Sequence, residues 1–219
     1  MAKSNSMHEK YLHKYRPVSN EQQIKFVEDV ILHNKFFFSP SNYFFDPFEF
    51  KYKSNGNLEN PFVFDSPYKK VGILSLSEEN NNIKMWSYYA DWHRGICMGF
   101  EFKNDCSFFS KAKKVQYLPD YPTDSLLKEY SDNVLLSAIV HKPIIWAHEK
   151  EWRIIEIDAG GEYRNFPKGK LKYIILGCMI KQETVNLIKG WIKQLDYKVQ
   201  LKQTKVSNIS YGLDILDLD

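Results

Sequence analysis

Two periods of hydrophobicity run through this chain and divide it into strands and helices. Ile96, Met98, Phe100 and Phe102 alternate with Cys97, Gly99 and Glu101, a period of two that predicts a strand. Ile24, Val27 and Ile31 recur at helical spacing with Phe26 and Val30 alongside, predicting a helix over Asn20–His33. Ser19 and Gln22, three positions apart, offer that helix a capping box. The stripe Val185, Ile188, Trp191, Ile192 and Leu195 predicts a second amphipathic helix over Gln182–Leu195. A third, Thr123–Val140, follows from Leu126, Leu127, Tyr130, Val134, Leu135 and Ala138, and Ile83–Asp91 reads as a short one. Further strands are predicted at Tyr11–Arg16 (closed by Pro17), Lys35–Ser39, Val71–Ser77, Glu151–Ile157 and Leu171–Leu176. Two more finish the chain near Lys198–Lys205 and Ser210–Leu216. Strands outnumber helices and do not alternate with them. The expectation is therefore an α+β fold, one domain over 1–219, with mixed or antiparallel sheets forming a cleft and helices at the periphery. Residues 1–10 read as a flexible start. Residues 51–70, rich in Asn, Ser, Pro and Lys, read as an irregular insertion.

Composition narrows the class. Across 219 residues, 43% are hydrophobic and 26% charged, ample for a core and ordinary for a water-exposed surface. The aromatic share, 16%, serves either packing or the stacking of flat ligands. A net charge of +3 is too mild to demand a nucleic-acid partner. The runs Lys111–Lys114 and Lys168–Lys172 read as solvated faces. Cys97, Cys106 and Cys178 are odd in number and form no C-x-x-C pair, so neither a disulfide framework nor a zinc knuckle is supported. No apolar run approaches the roughly 18 residues of a membrane span, and Met1–Lys10 has no apolar signal core. These features lead to the expectation of a cytoplasmic protein without a membrane partner.

Candidate chemistry lies in short polar clusters set into apolar segments. In extended chain, Glu149, Glu151 and Arg153 share a face with Trp152 and Ile154 behind them. Paired carboxylates beside an arginine are driven to different proton affinities, which suits acid, anchor or electrostatic roles; an ion-pair ladder is the structural alternative. Trp86, Tyr89 and His93 fall three and four residues apart, a single helical stripe. That stripe is either a stacking wall with a titratable imidazole or the face packed on the sheet. Asp46-Pro47-Phe48-Glu49 reads as a turn or helix start, with ligand binding by Asp46 or Glu49 as the other reading. His93, His141, His148, Asp46 and Glu149 are available to a metal, but no pair has H-x-x-x-H spacing, so no metal site is expected. Phosphate-loop and G-x-S-x-G signatures are absent.

Four signatures together resemble a bacterial family of uncharacterised proteins. They are Lys14-Tyr15-Arg16, Phe45-Asp46-Pro47-Phe48-Glu49 (where the family usually begins with Asn), Met85-Trp86-x-x-Tyr89-Ala90-x-x-His93-x-Gly95, and Trp146-x-x-Glu149-x-Glu151-x-Arg153. That resemblance implies a role in defence against phage. A second resemblance, to ADP-ribosyltransferases of the arginine-serine-glutamate type, rests on the order Arg16, Ser75-x-Ser77, Glu149-x-Glu151. It implies NAD as the substrate. Arg16 with Ser75 and Ser77 would hold it, Tyr15 and His93 would line the site, and Trp86 or Tyr89 would stack on nicotinamide. Glu151 would stabilise the positive charge developing on the ribose, Glu149 would orient an acceptor (protein or nucleic acid), and Arg153 would complete the catalytic set. Two other classes stand beside it: a non-enzymatic sensor or binding module, and a hydrolase or nuclease using His93 with acidic residues.

Overall fold

The computed structural model describes residues 11–44, 46–60, 70–102, 107–131 and 133–218. The N-terminal stretch 1–10 and part of the 51–70 insertion, namely 61–69, lie outside the described residues, as does Cys106. The protein is α+β with mixed and antiparallel sheets, as the pattern predicts.

Strand β1 (Tyr11–Arg16) leads to helix α1 (Glu21–His33). The helix is capped one residue later than predicted: Asn20 Oδ1 accepts from the Gln23 amide and Gln23 Oε1 accepts from the Ser19 amide, each at 2.9 Å. Strands β2 (Lys35–Phe37) and β3 (Ser39–Pro40) follow. The first half of the insertion is ordered as a hairpin, β4 (Tyr52–Ser54) and β5 (Asn57–Glu59). Its turn residues Asn55 and Gly56 both have positive φ, the demand that an Asn-Gly pair meets at least cost. Strand β6 (Gly72–Ser77), helix α2 (Ile83–Tyr89) and strand β7 (Ile96–Glu101) come next. After β8 (Lys113–Lys114) and β9 (Gln116–Leu118), the single long helix predicted here is two: α3 (Asp124–Tyr130) and α4 (Val134–Ile139). Ser131 is extended, ending the first, and Asn133 Oδ1 accepts from the Leu136 amide at 3.1 Å to start the second. The remainder is β10 (His141–Pro143), a 3-10 segment Ile144–Glu149, β11 (Glu151–Glu156), β12 (Tyr163–Asn165), β13 (Leu171–Leu176), α5 (Gln182–Ile192), β14 (Gln200–Val206) and β15 (Leu213–Asp217).

The chain gathers into two compact units and passes from one to the other four times, once within β6. The first takes Met1–Phe36, Leu76–Ser110 and Asn165–Asp219. Its strands run in the order β15-β14-β13-β7-β1, with β13 and β14 parallel across the α5 crossover and the other pairs antiparallel. Strand β7 is buried on both faces, so its alternation marks pleat rather than exposure. Phe36, Phe100, Phe108, Phe109 and Phe166 form one ring cluster, with Phe36 at 4.7 Å from Phe166 and 5.0 Å from Phe100. Much of the aromatic surplus is therefore core.

The second unit takes Phe37–Ser75 and Lys111–Arg164. Strand β6 lies between β3 and β11, β8 pairs with β11, and β9 runs parallel to β10. Phe50, Val71, Ile73 and Ile139 make its apolar centre, with Phe44, Leu136 and Ile155 packed around them.

Candidate functional site

Within the second unit, β10, β11 and the Asp46–Glu49 turn bring five charged side chains into the interior. Asp46 builds the turn: its Oδ1 accepts from the Phe48 amide at 2.9 Å and its carbonyl from the Glu49 amide at 3.1 Å. Glu49 is thereby turned inward. The guanidinium of Arg153, which has no exposed surface, is gripped on two sides. Nη2 and Nη1 donate to the Glu49 oxygens at 2.9 and 3.1 Å; Nε and Nη2 donate to those of Glu151, both at 2.9 Å. A further donation goes to the Ile139 carbonyl. Phe44 and Phe50 lie under the guanidinium at 5.4 and 5.6 Å.

Lys142 ties the rest together. Its Nζ donates to Glu149 at 2.6 Å, and lies 3.3 Å from both Glu151 and Glu49, with the Trp146 ring 5.2 Å away. Three carboxylates thus face two cations, a formal surplus of one negative charge in a site where no member exceeds 8% exposure. Burial alone would raise the Glu151 carboxyl, but Arg153 and then Lys142 overcome it and hold it at about 2, with Ser75 also donating to it. Burial works against the Lys142 ammonium as well, yet Glu151 and Glu49 keep it above the usual lysine range. The Tyr117 hydroxyl accepts from the Glu151 amide at 2.8 Å, fixing the start of β11.

Glu149 reaches this cluster by a different route from the one predicted. It closes the 3-10 segment, and Lys150 adopts left-handed φ of 42° before the strand begins. The face shared by Glu149 and Glu151 is made by that turn, not by strand alternation. Beside the network opens a cleft of about 290 Å³, lined among others by Phe48, Lys51, Tyr121, His141, Lys142 and Ile145. Lys142 belongs to both. His141 donates through Nδ1 to the Ser137 carbonyl at 2.7 Å, and burial lowers its proton affinity.

The other predicted residues belong to the first unit. Tyr15 is buried edge-on against Trp86, ring centres 5.3 Å apart, and burial raises its phenol. Trp86 is wholly buried, with Nε1 donating to the Asn80 carbonyl at 3.0 Å. Arg16 lies over the Phe26 ring at 5.5 Å. Ser77 is buried, its hydroxyl accepting from the Glu79 amide at 2.9 Å.

The stripe Trp86-Tyr89-His93 does not exist as a helical face. Helix α2 ends at Tyr89, which is 39% exposed, and Asp91, Trp92 and His93 follow with φ of 47, 51 and 66°. Three successive left-handed residues, none of them glycine, are costly. They reverse the chain so that the His93 amide donates to the Trp86 carbonyl at 3.2 Å and the imidazole stacks on the indole, 6.4 Å away and 11° from parallel. Burial lowers the His93 proton affinity. Gly95 and Gly177 permit the turn, because a Cβ at either would strike backbone, that of Arg16 and Ala90 at one and of His93 at the other.

Of the predicted set, Ser75, Glu149, Glu151 and Arg153 are thus brought together, and separately Tyr15, Trp86 and His93 are packed around one indole. Lys142 was missed, although a lysine inside the apolar run Ile139–Trp146 was the visible signal. No group of three or more His, Cys, Asp or Glu placed to hold a metal occurs among the described residues. None of their helices is long and apolar enough to cross a membrane.

Residues 85–154 match the model of a family described as "Protein of unknown function (DUF2971)". The matched segment contains both the Met85–Gly95 and Trp146–Arg153 signatures and is thus similar to an uncharacterised family. No curated protein and no solved structure matches the chain.

Proposed function

We propose that this chain is a small-molecule-binding protein of the sensor or effector kind, with its site in the cleft beside the buried charge network. One observation carries the reading: Lys142 is at once a wall of the cleft and the hub of three buried carboxylates. A wall held by several charge-assisted bonds is pre-organised, so a ligand meets it without ordering cost. The volume of about 290 Å³ sits at the lower edge of ligand pockets, room for one ring system or a small metabolite rather than a whole dinucleotide. Phe48, Tyr121 and Ile145 supply apolar contact, and Lys51 and Asp120 add charges of opposite sign to the lining. A role in phage defence, implied by the family resemblance, fits a protein that detects a small molecule.

The ADP-ribosyltransferase reading takes second place, favoured by the hydrogen bond from Ser75 to Glu151, which joins two of its three signature positions. Against it, the Glu151 oxygens are already engaged by Arg153 and Lys142. The discriminating experiment is calorimetric titration of the wild-type protein with NAD and with nicotinamide, followed by chromatography for released nicotinamide. Binding of nicotinamide without turnover, abolished by Leu118→Trp in the cleft wall, supports the binding module. Release of nicotinamide from NAD moves the assignment to the transferase. If Leu118→Trp binds as well as wild type, the cleft is not the site.

A further inference from the structure

The cleft beside the charge network is poor in groups that can donate a hydrogen bond. Three of its lining residues, Pro119, Pro122 and Pro143, have no amide hydrogen. The Phe48 amide is given to Asp46 Oδ1 at 2.9 Å. An ammonium has three hydrogens. Lys142 directs two of them to Glu149 at 2.6 Å and Glu151 at 3.3 Å, and a Glu49 oxygen lies at 3.3 Å for the third. What it offers a ligand is therefore its methylene stem more than its charge. His141 spends its Nδ1 hydrogen on the Ser137 carbonyl at 2.7 Å. Burial lowers its proton affinity, so at pH 7 the ring is neutral and its Nε2 carries no hydrogen to donate.

Charge points the same way. Glu49, Glu149 and Glu151 against Lys142 and Arg153 leave a formal surplus of one negative charge behind this wall. In the rest of the lining, Lys51 and Asp120 offset each other. Buried charges are weakly screened, so the surplus acts on whatever enters the cleft. An anionic ligand would meet repulsion with few donors to compensate it. A ligand rich in N–H groups brings the donors that the wall lacks, and the rings of Phe48 and Tyr121 suit a flat cation.

Taking the cleft as the binding site proposed above, we infer that its ligand is a small organic cation, a flat and largely apolar frame ending in an amidinium or ammonium group. The same chemistry disfavours nucleotides and other phosphate or carboxylate ligands.

Benzamidinium, benzamide and benzoate test this. They share one ring and one outline, while the end group passes from a cation that only donates, through a neutral amide, to an anion that only accepts. Each is titrated calorimetrically into the whole chain at pH 7. Leu118→Trp fills the cleft, and Asp120→Lys reverses a charge at an exposed position of its lining. The expected order is benzamidinium tighter than benzamide by about tenfold or more, the worth of one charge-assisted bond, with benzoate weakest. Leu118→Trp should abolish benzamidinium binding and Asp120→Lys weaken it severalfold, each with an unchanged melt. Where Leu118→Trp lowers the melt, Asp120→Lys decides the location alone. Benzamide or benzoate binding as tightly as benzamidinium, and sensitive to these variants, would overturn the inference while leaving the cleft as the site. Benzamidinium binding that is absent, or indifferent to the folded variants, would overturn it as well; the nicotinamide titration then decides independently whether the cleft binds a ligand.

Discussion

Arg153→Leu tests whether the charge network is held by one residue. The guanidinium has no exposed surface and donates to both oxygens of Glu49 and of Glu151, so its loss leaves three buried carboxylates facing Lys142 alone. Removing one partner of a buried ion pair costs about 3–5 kcal/mol, mostly through the stranded charge. At about 2–4 °C per kcal/mol for a chain of this size, the melt should fall by roughly 6–20 °C at pH 7. The pH dependence carries the sign. Glu151 sits at about 2 in the folded wild type against an ordinary 4.5. Its stabilisation, on the order of 3 kcal/mol, is therefore complete above 4.5 and lost as pH falls toward 2. Without Arg153, burial, the largest influence on that carboxyl, pushes it upward, and proton uptake relieves the variant as pH falls. The gap between the two proteins should be widest near neutrality and narrow progressively as pH falls toward 2. Calorimetric melts of both proteins from pH 7 to 3.5 measure it. A variant within about 2 °C of wild type at pH 7, or a gap independent of pH, would refute the reasoning.

Other expectations follow from the same geometry. Gly177→Ala should destabilise by about 2 kcal/mol or more in a denaturant melt, because the new methyl meets the His93 backbone, which cannot swing aside. Trp92→Gly should do the reverse, raising stability by about 1 kcal/mol, since it relieves a left-handed residue whose side chain is 63% exposed; a fall in stability would mean that the indole packs usefully. Glu151→Gln should cut nicotinamide release by on the order of a hundredfold if the transferase reading holds, scored by chromatography against a folded control. Unaltered release would remove Glu151 from the chemistry.

The sequence by itself determined the fold class and most elements, because pleat and helix pitch write their periods directly into residue order: β1, α1, β7, β13 and α5 all lie where alternation or helical spacing places them. It also picked out the Glu149-Glu151-Arg153 cluster, since charges inside an apolar segment are conspicuous. The break between α3 and α4 was hidden by an apolar stripe that continues across Ser131 and Asn133. The Trp86–His93 spacing misled for a related reason: spacing assumes a helix, and three left-handed residues, held by close packing at Gly95 and Gly177, ended it. Tertiary structure alone decided that Glu49, far from Arg153 in the chain, closes the guanidinium's second side, and that Lys142 links three carboxylates to a cleft. Such pairings depend on which strands become neighbours, and neighbour choice is a property of the whole packed chain rather than of any local pattern.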